Sequence, residues 1–212
     1  MRRHRFLIAA GLGLGLWLPT AATAGGTHFL AEPYSGIMIN QGFSAERAVG
    51  LEAGATLAVG GKFKGFPPRF YLYFKASHAR FGSESLELVQ RDSQACVERS
   101  YTRVVGGLRG VIPLFWYLRL NLEIGAGSLF TANRYQESGM RAVSYDENLT
   151  VMEFGAGLNL RLYRWLSIGL MYDYTAVIES EHGDMIATML GEDDRGSELG
   201  WSHVTATLGL HF

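Results

Sequence analysis

The chain has 212 residues, with 19 basic against 20 acidic side chains and a formal charge of −1. That balance excludes the electrostatic footprint of a nucleic-acid binder, and a single cysteine excludes an intramolecular disulfide. With 27 glycines, 5 prolines and 12% aromatics, the composition is not that of a disordered chain.

Residues 1–24 read as a signal peptide. Arg2, Arg3, His4 and Arg5 make a positive start, Phe6 to Leu18 is an uncharged apolar run, and Ala22-Thr23-Ala24 supplies small residues for cleavage after Ala24. The run is shorter than the roughly 20 residues a spanning helix needs. Export is therefore expected, leaving 25–212 as one domain. No later stretch is long and apolar enough for a membrane helix.

From there the chain alternates with period two in eight segments, at about 30–40, 48–59, 69–79, 101–112, 117–129, 150–162, 166–178 and 201–212. Each is longer than the five or six residues of an ordinary soluble strand. Each reaches the roughly 9–11 that a tilted strand needs to cross a bilayer. The first segment is the weakest, because Pro33 and Ser35 fall on its apolar parity. The second sets Leu51, Ala53, Ala55 and Leu57 against Gly50, Glu52, Gly54 and Thr56. Segment 117–127 sets Leu118, Leu120, Leu122, Ile124 and Ala126 against Arg119, Asn121, Glu123 and Gly125. Segments 152–162 and 166–175 repeat the pattern, with Glu153, Asn159, Arg161 and Asp173 on their polar parity.

Over all eight segments the polar parity carries Glu32, Glu52, Glu123, Glu153 and Asp173 against Lys75, Arg103, Arg109, Arg119 and Arg161, while the apolar parity carries no charge. A soluble barrel with its apolar face inward, as in the lipocalins, would also alternate. Three features oppose that solution. The polar parity is rich in glycine (Gly50, Gly54, Gly107, Gly125, Gly127, Gly155, Gly157, Gly169), which suits the inside of a narrow barrel and not a solvated strand face. Connections alternate between short to moderate (60–68, 113–116, 163–165) and long (80–100, 130–149, 179–200), as in transmembrane barrels. Aromatics gather at the strand ends: Phe63, Phe66, Phe70, Phe115, Trp116, Tyr163, Trp165 and Phe212 by the short turns, Phe81, Tyr101, Phe130, Tyr172, Tyr174 and Trp201 by the long ones. Facing the basic parity to lipid would cost roughly 2–4 kcal/mol per side chain at mid-depth. The expected fold is therefore an all-β, eight-stranded antiparallel up-and-down barrel, with leucines outward and a lumen network of those ten charges.

The last segment, WSHVTATLGLHF, places Val204, Ala206, Leu208, Leu210 and the final Phe212 on one face. It resembles the terminal strand of bacterial outer-membrane proteins. The chain from 25 resembles the small OmpA-like or OmpX-like barrel domains, and EPYSG at 32–36 resembles their first strand. The resemblance implies the bacterial outer membrane as location and lipids and lipopolysaccharide as surroundings. It also implies that the barrel-insertion machinery reads Leu208, Leu210 and Phe212. It implies no activity, since such barrels share architecture more than function.

Three functions follow in order. The first is a structural or surface-interaction role carried by the outer loops toward an extracellular partner, with paired charges plugging the lumen. The second is a narrow pore. The third is a lipid A-modifying enzyme, for which Ser202-His203 and Asp173 would be the material. Neighbouring strand residues point to opposite faces, so Ser202 and His203 cannot pair, and His203 reads as a lumen or rim hydrogen-bonding residue. No catalytic residue, cofactor or metal is expected. The acidic GEDDRGSE at 191–198 reads as a solvated loop, Cys96 as a lone thiol in a loop, and Lys62, Lys64 and Arg69 as a basic cluster facing the periplasm.

Overall fold

A computed structural model of the chain describes residues 27–40, 49–62, 67–82, 84–88, 93–137, 143–180 and 200–212. The signal peptide, Lys64 and the 191–198 stretch lie outside the described residues. Nine strands run in chain order: β1 His28–Asn40, β2 Val49–Lys62, β3 Arg69–Phe81, β4 Glu84–Leu88, β5 Ser93–Pro113, β6 Leu118–Glu137, β7 Val143–Arg161, β8 Leu166–Ser180 and β9 Gly200–His211. All pairings are antiparallel. The order is β3-β2-β1-β9-β8-β7-β6-β5, and β3 pairs with β5 to close the ring. Eight strands thus form a closed barrel. β4 stands apart as a short hairpin partner of the first residues of β5. Among the described residues no helix is long and apolar enough to cross a membrane.

Closure follows from the pattern. A barrel leaves no edge with unpaired backbone groups. The seam between the first and last strands is sealed at its end by two backbone hydrogen bonds, Phe29 N–H to the Phe212 carbonyl (3.1 Å) and Phe212 N–H to the Phe29 carbonyl (2.9 Å). The charged parity is inside and the leucine parity outside: Leu51, Leu57, Leu72, Leu108, Leu122, Leu158 and Leu170 are exposed, whereas Glu52, Lys75, Arg109, Glu123 and Glu153 are buried.

Two expectations are corrected. The stretches 80–100 and 130–149 are not simply loops. β4 and the first half of β5 form one hairpin, and β6 and β7 continue together through Tyr135 and Val143 in another. β5, β6 and β7 have 21, 20 and 19 residues, about twice what a bilayer crossing uses. The outer ends therefore stand proud of the apolar band. The polar residues of those stretches obscured strands that pairing across the hairpins sustains. Cys96 accordingly lies in β5, with its backbone paired to Ser85 and Gln136.

The second correction concerns the upper aromatics. Phe130 and Tyr172 face outward, but Phe81, Tyr101 and Trp201 are buried. They lie on inward parity, so strand-end position alone did not decide their side. Around the short turns Phe29, Phe70, Phe115, Trp116, Tyr163, Trp165 and Phe212 are all exposed, as a girdle requires.

Candidate functional site

Each of the eight barrel strands sends at least one charged or titratable side chain to the axis. They are Glu32 from β1, Glu52 from β2, Lys75 from β3, Arg103 and Arg109 from β5, Glu123 from β6, Glu153 from β7, Asp173 from β8 and His203 from β9, and none is more than 5% exposed. The strands place them there because each sits on the inward parity of its segment. Glycines make the room: a Cβ at Gly155 would collide with the Asp173 carboxylate, and one at Gly125 with the Tyr73 hydroxyl.

The contacts form one continuous chain. Arg109 bridges Glu32 and Glu123, its Nε donating to Glu123 Oε1 at 2.5 Å. Lys75 Nζ donates to Glu123 Oε2 (2.7 Å), Glu153 Oε1 (2.7 Å) and Asp173 Oδ2 (3.1 Å). Arg103 donates to Glu153 Oε2 (2.5 Å) and Glu52 Oε1 (2.8 Å), with longer bonds to Ser77, Tyr34 and Thr175. His203 completes it, Nδ1 on Glu52 Oε2 at 2.8 Å and Nε2 on Thr175 Oγ1 at 3.0 Å. Ions removed from water are tolerable only when paired and hydrogen-bonded in this way. The ligand atoms of Glu123, Glu153 and Asp173 lie within 4.8 Å of one another, a spacing that could hold a metal ion. The Lys75 ammonium takes that central place.

The ten charges singled out on the polar parity do not all meet, and Arg69 at the start of β3 shares that parity. Arg119 and Arg161 sit at the short-turn mouth, partly exposed. Arg161 donates from Nε to the Tyr163 carbonyl (3.1 Å) and from Nη2 to the Arg164 carbonyl, away from every network carboxylate. The interior is thus five carboxylates against three permanent cations and His203, not five against five. Parity showed which side these arginines take but not their depth, which depends on how the strands are staggered around the ring. Thr175, Ser77 and Tyr34 join the network without having been singled out. Their neutrality hid them, although inward parity marked all three.

Above the charges the lumen is apolar. Phe81 packs edge-on against Tyr101 at 4.9 Å between centroids, and Tyr101 lies 5.8 Å from Trp201. Met38, Leu129, Leu149 and Val151 belong to the same buried cluster. Phe81, Tyr101 and Trp201 cap the network toward the long-loop end. His203 is fully buried beneath them, and Ser202 bonds the Tyr172 hydroxyl (3.1 Å) rather than the imidazole. On the outward face beyond the apolar band, β3, β5, β6 and β7 form an open cleft of about 550 Å³. Arg80, Arg99, Arg134 and His78 line it together with Glu98 and Asp146. In β9, Leu208 faces outward, and Phe212 is 73% exposed at the seam.

No protein-family model matches the chain, and no curated protein matches it in sequence. Solved structures do match in fold. The attachment invasion locus protein Ail of Yersinia pestis superposes with a TM-score of 0.51 at 16% identity, over 88% of this chain and 99% of Ail. A major outer membrane protein from Thermus thermophilus superposes with a TM-score of 0.59 at 10% identity, over 88% of this chain and 100% of its own. The barrel therefore has the fold of the small outer-membrane β-barrels.

Proposed function

We propose that this chain is an integral barrel of the bacterial outer membrane whose lumen is closed and whose activity lies on its outer surface. The observation that carries this reading is the continuous ion-pair chain from Glu32 to His203 beneath the aromatic cap of Phe81, Tyr101 and Trp201. An eight-stranded barrel has an interior just wide enough for side chains to fill. Here large side chains occupy it in two layers, one charged and one aromatic. The outward leucines and the exposed aromatics at the short turns support lipid contact. The short-turn end, where the first and last strands meet at the seam, is then periplasmic, and the raised ends of β5, β6 and β7 are extracellular.

The hairpins and the cleft beside Arg80, Arg99 and Arg134 are the surface we assign to an extracellular partner, with lipopolysaccharide the nearest one at hand. We further propose that Leu208, Leu210 and Phe212 form the signal for barrel insertion, since the terminal ring is exposed at the seam. Deleting Phe212 should lower the yield of folded barrel in the outer membrane several-fold while leaving refolding in detergent intact. Gels that separate heat-modifiable folded protein from unfolded chain read both. Equal assembly in cells would remove that role from Phe212.

Closure of the lumen is tested in planar bilayers. The unaltered barrel should show no steady conductance. Arg103→Ala, which leaves Glu153 to Lys75 alone and Glu52 to His203 alone and opens a void under the cap, should introduce brief openings. Sustained conductance from the unaltered barrel, shifted by Arg109→Ala or Glu123→Ala, would make it a narrow pore instead. As for catalysis, the hydroxyl–imidazole–carboxylate series Thr175–His203–Glu52 lies where a substrate carbonyl has no access. An unchanged lipid A acylation pattern on deletion is the expected result.

A further inference from the structure

The short-turn mouth of the barrel gathers basic side chains. Lys62 ends β2, Arg69 opens β3, Arg119 opens the inward parity of β6, Arg161 ends β7, His28 opens β1 and His211 ends β9. Each lies on the inward parity of its strand, in step with the buried residues Ala58, Tyr71, Asn121, Asn159, Leu30 and Thr207. Six of the eight barrel strands therefore aim a basic side chain at the same opening. Arg69, Arg119 and Arg161 lie within electrostatic reach of one another and of the His211 and His28 rings, so the standing charge of the mouth is that of the arginines and Lys62. Lys62 and Arg69 are direct cross-strand partners, an arrangement that destabilises a sheet when nothing intervenes.

Among the described residues no acidic side chain answers them. The sequence has no Asp or Glu between Glu52 and Glu84, between Glu98 and Glu123, between Glu153 and Asp173, or after Glu198. Those acid-free intervals are the strand halves and turns that make this end. The first carboxylate met going inward is Glu32, and it is engaged by Arg109. The contrast with the layer above is sharp, since there every permanent cation touches at least two carboxylates. Lys62 is exposed, but the three arginines are only partly so, and their field is less screened than that of an open surface. Ser167 holds one side of the His211 ring (2.8 Å), and the turn carbonyls hold Arg161, so two members of the ring are positioned.

We propose that this mouth is a binding site for a multivalent oxyanion of the phosphate class. Guanidinium groups match phosphate oxygens in a two-pronged fashion, and three arginines stand at this end, Arg119 and Arg161 on the paired strands β6 and β7 and Arg69 on β3. Such an anion would supply the charge that the strand ends lack. Inward parity favours a soluble phosphate compound entering the mouth over a lipid headgroup lying against the outside wall. The site stands on the geometry of the rim. Only its assignment to the periplasm rests on the topology proposed above.

The test titrates the refolded barrel, in a maltoside detergent free of phosphate, with tripolyphosphate by calorimetry and by phosphorus NMR. Saturable binding is expected. The double variant Arg119→Gln/Arg161→Gln should weaken it by about tenfold or more, the loss of two charge-assisted contacts. Arg69→Gln, on β3 and outside the β6–β7 pair, gives an independent variant should the double one fold poorly, as judged by its heat-modifiable migration. A second arm compares nanodiscs of phosphatidylglycerol with nanodiscs of phosphatidylcholine. Tripolyphosphate binding that persists in both identifies a soluble ligand. Binding abolished only by phosphatidylglycerol identifies the headgroup as the phosphate source and overturns the soluble one. Absence of saturable binding, or binding indifferent to Arg69, Arg119 and Arg161, overturns the site. Phosphate binding by a barrel whose short turns prove accessible from outside the cell would keep the site and overturn the topology alone.

Discussion

Lys75→Met is expected to destabilise the barrel by about 3–5 kcal/mol, the range for stranding buried partners of a lost ion. Among the described residues, Lys75 is the cation that touches Glu123, Glu153 and Asp173 together. Methionine preserves most of its volume, so the effect reports charge rather than a cavity. Three carboxylates in mutual reach would then keep only the two arginines, Arg109 on Glu123 and Arg103 on Glu153, and Asp173 would lose its one ion-pair partner among the described residues. Urea unfolding in lipid vesicles, read by tryptophan fluorescence, measures the loss. Adding Asp173→Asn to Lys75→Met should recover part of it, because the amide carries no charge to leave unpaired. A silent Lys75→Met would mean that water fills the lumen freely and that the network is not a plug. A large loss without recovery by Asp173→Asn would place the effect in packing.

The second large effect concerns the other face. Leu122→Arg, near the middle of the outward apolar run of β6, should cost roughly 2–4 kcal/mol in vesicles, whereas Leu118→Arg at the short-turn border should cost about 0–1 kcal/mol. Leu122 is 44% exposed and has only bilayer or water to face. The depth dependence is the informative part. In water an arginine on an exposed strand face costs little at either position, so equal and small losses at 118 and 122 would end the membrane assignment. Performing the titration in vesicles of different acyl length should shift the position of maximum cost along β6.

Much of this was legible in the chain itself. Period two over eight segments sets strand number, and a parity free of charge sets which residues share a face, because alternate side chains of a strand cannot avoid opposite sides. Strand boundaries followed to within a few residues wherever a lipid-facing run ended at a turn. They failed at 80–100 and 130–149, where β5, β6 and β7 run on past the apolar band and polar residues break the readable alternation.

What the linear order could not express is position along the barrel axis. Glu32, Lys75, Arg103 and Asp173 are marked as inward by local alternation alone. Whether Arg103 meets Glu52 or Glu153, or both, depends on the stagger of neighbouring strands, and that is a property of the closed ring. The same stagger raised Phe81, Tyr101 and Trp201 into one cap and left Arg119 and Arg161 at the mouth with Arg69 and His211. Side is decided by the pleat, one residue at a time. Depth is decided only when the last strand pairs with the first, and the partners of every buried charge are chosen at that moment.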